Sequence, residues 1–157
     1  MIQRIQTVYL IIGSVAMFLS FVFPIVVFEG MSGLDHVLSA LSFAREDGES
    51  HKLLNHIPYM ILASLAGGVL LANVLLYKNL NLQRQIGRLL YLLLIASIGT
   101  MFWLIFSNMS SLESLDLKTD FYHVGFYLPF VALIMNFMAN RGMRRDQNLL
   151  KSLDRLR

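Results

Sequence analysis

The chain has 157 residues, of which 56% are hydrophobic and only 15% are charged. Its mean hydropathy of +0.60 is well above that of an ordinary soluble domain, which predicts a single membrane domain over residues 1–157. The net charge of +3 is divided among separate loops, so a nucleic-acid partner is not expected, and the absence of cysteine excludes disulfides and thiolate metal sites.

The first apolar stretch covers 8–28 and contains no charged residue. A helix of that length can cross a hydrocarbon core of about 30 Å, so we predict a first membrane span with a bend at Pro24. The outer loop at 29–56 contains apolar residues at helical spacing, which predict a short amphipathic helix: Leu34, Val37, Leu38 and Leu41. A β-hairpin in this loop, giving an outer β-sheet on a four-helix bundle, is the alternative.

Two further apolar stretches, 57–77 and 89–106, flank a short basic loop and are predicted to be the second and third spans. In the second span, small side chains recur every four residues at Ser64, Gly68 and Ala72. Membrane helices associate where small residues let them approach closely. We therefore predict that this stripe packs against a neighbouring helix.

The fourth span is predicted at 121–139, where Pro129 removes a backbone donor and frees the carbonyl of Gly125. This pair is expected to form a hinge. Near the cytoplasmic ends of their spans, Asn73 and Asn136 are expected to hydrogen-bond across helix interfaces.

The tail, 140–157, is predicted to be an amphipathic cytoplasmic helix, because its leucines share one helical face: Leu149, Leu150, Leu153 and Leu156. Together with this stripe, the basic residues of the middle loop and tail form a candidate docking face: Lys78, Arg84, Arg88, Arg141, Arg144, Arg145, Arg155 and Arg157. These cations either fix the topology and contact anionic headgroups, or bind a partner subunit.

Charge predicts the orientation of the four spans. The segments assigned to the inside hold ten Lys and Arg residues and two acids, whereas the outer loops hold three Lys and Arg residues and eight acids. Since positive residues stay in the cytoplasm, both termini are predicted to be cytoplasmic. The fold class is therefore an all-α membrane protein, a four-transmembrane-helix bundle.

Three segments carry a family resemblance: the opening Met1-Ile2-Gln3-Arg4-Ile5-Gln6-Thr7-Val8-Tyr9-Leu10, the Tyr77-Lys78-Asn79 and Leu82-Gln83 pair, and the closing Arg141…Asp146…Leu150-Lys151-Ser152-Leu153-Asp154-Arg155-Leu156-Arg157. In these segments the chain resembles an uncharacterised four-span inner-membrane "domain of unknown function" family of Bacteroidota. The resemblance covers the chain end to end. It implies a bacterial inner-membrane protein without an assigned activity.

The sequence gives no support for an enzyme. No span carries Asp, Glu, Lys or Arg in its central part, which argues against proton-coupled transport and aspartyl intramembrane proteolysis. No phosphate-binding glycine loop or acyl-transfer elbow is present. The histidines lie in or beside the outer loops without metal-ligand spacing, so neither a metal nor a cofactor is expected: His36, His51, His56 and His123.

Two functions fit this pattern. The first is a non-enzymatic accessory or scaffold subunit, which joins a larger membrane assembly through its helices and its basic cytoplasmic face. The alternative is a small module that binds or transports a lipid or other apolar ligand, acts as an oligomer and has a cavity beside Pro129. Expected partners are thus the bilayer and either another membrane protein or a second copy.

Overall fold

The computed structural model describes residues 3–29, 35–40, 43–45, 50–51, 56–77, 79–113 and 118–155. Four helices dominate it: α1 (Gln3–Leu19), α2 (Ile57–Leu75), α3 (Leu80–Glu113) and α4 (Val124–Arg155). The helices form a ring in which each contacts the next along the chain and α4 closes against α1. This arrangement gives one common core.

The core depends on small residues where the helices approach most closely. Gly13 of α1 leaves room for Ala132 of α4, and Gly67 of α2 lies under the ring of Phe18. Around these contacts the fully buried apolar side chains include Leu10, Met17, Leu70, Leu94 and Met101. Large apolar side chains also cover the outside of the ring, which is typical of a protein surface in contact with lipid.

Two helices are long and apolar enough to cross a membrane, at Ile57–Leu75 and Asn81–Ser107. The apolar part of α1 is shorter. Helix α4 has 32 residues, but its second half is rich in arginine. The basic segment predicted as a loop is largely helical, because α3 begins at Leu80.

The prediction of one continuous first span over 8–28 is wrong beyond Leu19, where α1 ends. A turn follows, in which the Ser20 hydroxyl donates to the Met17 carbonyl at 2.7 Å. Pro24 lacks a backbone donor and favours extended geometry in the residue before it, so the chain leaves the helix and enters a strand.

A five-stranded antiparallel sheet covers one end of the bundle. Its strands are β1 (Val26–Glu29), β2 (Asp35–Leu38), β3 (Phe43–Arg45), β4 (Ser50–His51) and β5 (Lys118–Tyr122), in the spatial order β4-β3-β2-β1-β5. Strand β1 pairs with β5, so the two loops at this end become one structure. We call this the sheet end, and the opposite end, where α1 begins and α4 ends, the tail end.

The amphipathic helix predicted at Leu34–Leu41 is therefore wrong, and the alternative with strands is confirmed. Val37 pairs with Val27, and Leu38 pairs with Val26. The buried Val26 and Leu38 side chains join the core. Short apolar runs fit a strand as well as a helix, and pairing on both sides of β1 satisfies the backbone groups there. The bundle itself is all-helical as predicted, and the small sheet is added at one end.

The tail is helical as predicted, but it is the last part of α4 and not a separate helix. Pro129 lies inside α4 near its start and does not end the helix. Helix α4 therefore runs without interruption from the sheet to the basic tail end.

Candidate functional site

The tail end contains a layer of buried polar side chains between α3 and α4. Asn136 and Asn140 lie one turn apart on α4, and the Nδ2 atom of each donates to the carbonyl of Gly87 at 3.1 Å. Asn140 also donates to the Asn136 carbonyl at 3.0 Å. Buried amides in this arrangement fix both the distance and the register between the two helices.

Gly87 makes this contact possible. A Cβ atom at this position would clash with the Asn140 side chain, which is only 8% exposed. Sequence reasoning missed both Gly87 and Asn140. The available signal was the Asn136–Asn140 pair, since two amides spaced by four residues lie on the same helical face.

Two further contacts tie the helices together at this end. The buried Gln6 amide of α1 donates to the Asp146 carboxylate of α4. Arg84 of α3 donates to the Gln147 side-chain carbonyl at 2.6 Å, and the Gln147 amide donates to Asn81 at 3.0 Å. Helices α1, α3 and α4 are thereby held as one unit where the chain is most basic.

Beside this layer lies a basic pocket of about 260 Å³. Its cations are Arg84 and Arg88 of α3 and Arg141 and Arg144 of α4. No carboxylate is among the described residues that line it. Four arginines around one pocket attract an anion, and the donors of a guanidinium group suit a phosphate or carboxylate.

An apolar groove of about 340 Å³ continues from the basic pocket toward the middle of the bundle. Tyr91 and Phe137 line both spaces. Further along the helices, away from the basic pocket, the groove is lined by Ile95, Leu133 and Ile134. The alternative function placed its cavity beside Pro129, and this proline does not line the groove.

Residues 2–156 match the model of a family described as "Domain of unknown function (DUF4293)". The chain belongs to this family. Comparison with curated proteins gives no match. Because the description of DUF4293 names no activity, the function of this member has to be argued from its structure.

In this DUF4293 chain, the three segments that carried the resemblance meet at the tail end. Gln6 comes from the opening segment, and Gln83 from the middle segment donates to the Asn73 carbonyl at 3.2 Å. Asp146 belongs to the closing segment and accepts a hydrogen bond from Gln6. The tail end is thus where the sequence features of this family member come together.

The structure describes only part of the predicted docking face. Arg88, Arg141, Arg144 and Arg145 are exposed and Arg84 is partly buried, while Leu149 is 49% exposed. Lys78 and two residues of the tail, Leu156 and Arg157, lie outside the described residues. The backbone of Leu150, Leu153 and Arg155 belongs to α4, but their side chains lie outside the described part.

The predicted small-residue stripe lies on the outward face of α2. Ser64, Gly68 and Ala72 are exposed, and a Cβ atom at Gly68 would meet nothing within 4 Å. The stripe therefore lies on the outside of the bundle, and its packing against a neighbouring helix stays a prediction. The buried small residues of α2 are Ala63, Ala66 and Gly67, and Gly67 lies against the large side chains of Phe18 and Met17 of α1.

Asn73, by contrast, lies on the buried face of α2. Its carbonyl accepts from Gln83, but its side-chain amide has no hydrogen-bond partner among the described residues. Burying an amide in this way costs free energy. Asn73 therefore differs from Asn136, which bonds directly to the neighbouring helix.

The predicted hinge residues lie at the sheet end. The Gly125 N–H donates to the Pro24 carbonyl at 3.0 Å, so the start of α4 is joined to the turn after α1. Pro129 is buried one turn further along. Hinge motion at this position remains a prediction.

Of the histidines, His56 is buried where α2 begins, and His123 is exposed. Burial lowers the pKa of His56, although nearby backbone groups of Ser39 and Ala40 oppose this effect. Within the described part of the chain, no group of three or more His, Asp or Glu residues could hold a metal ion.

Proposed function

We propose that this protein is a four-span integral membrane protein of the bacterial inner membrane, with both termini in the cytoplasm. We propose further that it acts without catalysis, as an accessory or scaffold subunit of a larger membrane assembly. The observation that carries the second proposal is the tail end, where a polar layer ties three helices together beneath an exposed basic surface.

The membrane placement is supported by two apolar helices and by the apolar surface of the ring. Helices α1 and α4 pack alongside these two helices, so the simplest placement sets all four across the bilayer. The excess of positive residues at the tail end supports its cytoplasmic location.

The docking role is supported by the rigidity of the basic surface. Long basic side chains on a fixed helix lose less conformational freedom on binding than the same side chains on a loose loop. Arg145 and the half-exposed Leu149 combine charge and apolar area on the last turns of α4. On α2, the outward small-residue stripe offers a second surface for the helix of a partner.

The test is purification of the tagged protein from its native membrane in mild detergent, with identification and stoichiometry of bound proteins. We expect a stoichiometric partner, which is lost on substitution Leu149→Glu. The matched control is Asn148→Glu, which adds the same charge at the exposed neighbouring position and should retain the partner.

Recovery of the chain alone, or only with copies of itself, would contradict the accessory-subunit proposal. Equal loss of the partner in both variants would show that added negative charge, and not the Leu149 surface, controls binding. A thermal unfolding curve for each purified variant checks that the bundle remains folded.

A further inference from the structure

The basic pocket and the apolar groove meet between α3 and α4, and neither is lined by Arg145 or Leu149, which carry the docking proposal. We propose that together they bind one anionic phospholipid of the inner leaflet. The arginines would take the phosphate, and the groove would take an acyl chain. This inference rests on the membrane placement proposed above, but not on the accessory role.

Charge is the first argument for this site. Arg88, Arg141 and Arg144 are exposed and share one pocket with Arg84. The nearby Asp146 carboxylate accepts from Gln6 on the far side of α4, and it does not line the pocket. Like charges gathered around one space repel each other, so an anion that occupies the pocket gains from all four.

Depth is the second argument. Arg88 and Ile95 are seven residues apart on α3, which places Ile95 about 10 Å further along the helix axis. The groove therefore begins at the level of the arginines and continues toward the bilayer centre. A phospholipid has the same sequence of parts, with an anionic phosphate at the interface and a hydrocarbon chain below it.

The residues at the junction suit the middle of such a lipid. Tyr91 and Phe137 belong to both spaces, and Tyr91 lines the basic pocket together with Asn140 and Arg144. An aromatic residue with a polar tip favours the level of the glycerol and ester groups. A free phosphate would use the pocket but would leave Ile95 and Ile134 exposed, each at 56%.

The experiment uses the full chain purified in detergent and the binding of two spin-labelled lipids with identical acyl chains, phosphatidylglycerol and phosphatidylcholine. We expect binding of phosphatidylglycerol in clear preference to phosphatidylcholine. Replacing Arg88 and Arg141 by Gln should weaken phosphatidylglycerol binding roughly fivefold for each arginine, or about 25-fold together. Binding of phosphatidylcholine should weaken less, because the cation of its own headgroup balances the phosphate charge.

The matched control is Arg145→Gln, which removes the same charge from an exposed position on α4 outside the pocket. It should change phosphatidylglycerol binding by less than about twofold. Loss of affinity equal to that caused by Arg141→Gln would overturn the site and indicate a diffuse charge effect.

A second variant, Ile134→Trp, fills the groove and leaves the arginines in place. It should weaken phosphatidylglycerol binding and leave the competition by inorganic phosphate unchanged. If the parent and Ile134→Trp bind phosphatidylglycerol with equal affinity, the groove takes no acyl chain, the pocket is a simple anion site and the proposed lipid is wrong. None of these outcomes depends on a protein partner, so failure here is distinct from failure of the accessory role.

Discussion

At the scale of single residues, Gly125 shows how closely two parts of the chain approach at the sheet end. A Cβ atom there would lie 2.5 Å from the carbonyl oxygens of both Phe23 and Pro24. These are backbone atoms that cannot rotate away. We expect Gly125→Ala to lower the free energy of unfolding by about 1–3 kcal/mol through overpacking, measured by thermal or denaturant unfolding in detergent.

The control for this prediction is Gly99→Ala on α3, where an added Cβ atom would meet nothing within 4 Å. Alanine favours a helix over glycine by about 1 kcal/mol, so this variant should be slightly more stable than the parent. Equal stability of the two variants would contradict the close contact at Gly125.

Residue patterns in the sequence indicated that small residues of α2 contact another helix, but not which of them face the bundle. Gly68 and Gly67 are neighbours in α2, and only packing decides which of them faces the bundle. The every-four spacing favoured Gly68, whereas the structure buries Gly67 against Phe18. Similarly, the contact of Gly87 with Asn140 joins residues that are far apart in sequence, and no local pattern encodes it.

At the scale of elements, the strands at the sheet end were the least predictable part. Strand β1 pairs with β2, which follows it, and with β5, which lies about ninety residues later. Apolar spacing describes one segment at a time and cannot report such a pairing. The helices were more predictable, because long apolar stretches specify them directly. The exception is the end of α1, which lies at Leu19, before Pro24, and not at residue 28 as predicted.

Because β1 has a partner on each side, its backbone hydrogen bonds should contribute more to the free energy of unfolding than those of the edge strand β4. Val27→Pro removes a donor from the middle of β1 and should lower the free energy of unfolding by roughly 2 kcal/mol or more. Ser50→Pro in β4 should cost less than about 1 kcal/mol, since proline is tolerated at sheet edges. Thermal unfolding in detergent measures both, and similar losses would contradict the central position of β1.

At the scale of the whole molecule, the ring of helices decides which ends lie together. Gln6 at the start of α1 bonds to Asp146 near the end of α4, and Gly125 at the start of α4 bonds to Pro24 beyond α1. The beginning of α1 and the end of α4 must therefore share one side of the bilayer in the proposed placement. The charge pattern led to the same arrangement, because it depends on counts within whole segments and not on exact helix ends.

The absence of cysteine allows a direct test of that placement. Single cysteines replace three exposed residues: Gln85 near the start of α3, His123 before α4, and Asn148 near the end of α4. A membrane-impermeant maleimide added to intact spheroplasts should label only His123→Cys, and all three variants should react after permeabilisation. Labelling of Gln85→Cys and Asn148→Cys alone would reverse the orientation. Labelling of Gln85→Cys together with His123→Cys would show that α3 does not cross. Gln6, near the start of α1, is hydrogen-bonded to Asp146, which lies close to Asn148 in α4. Labelling of Asn148→Cys therefore also shows on which side of the membrane α1 begins.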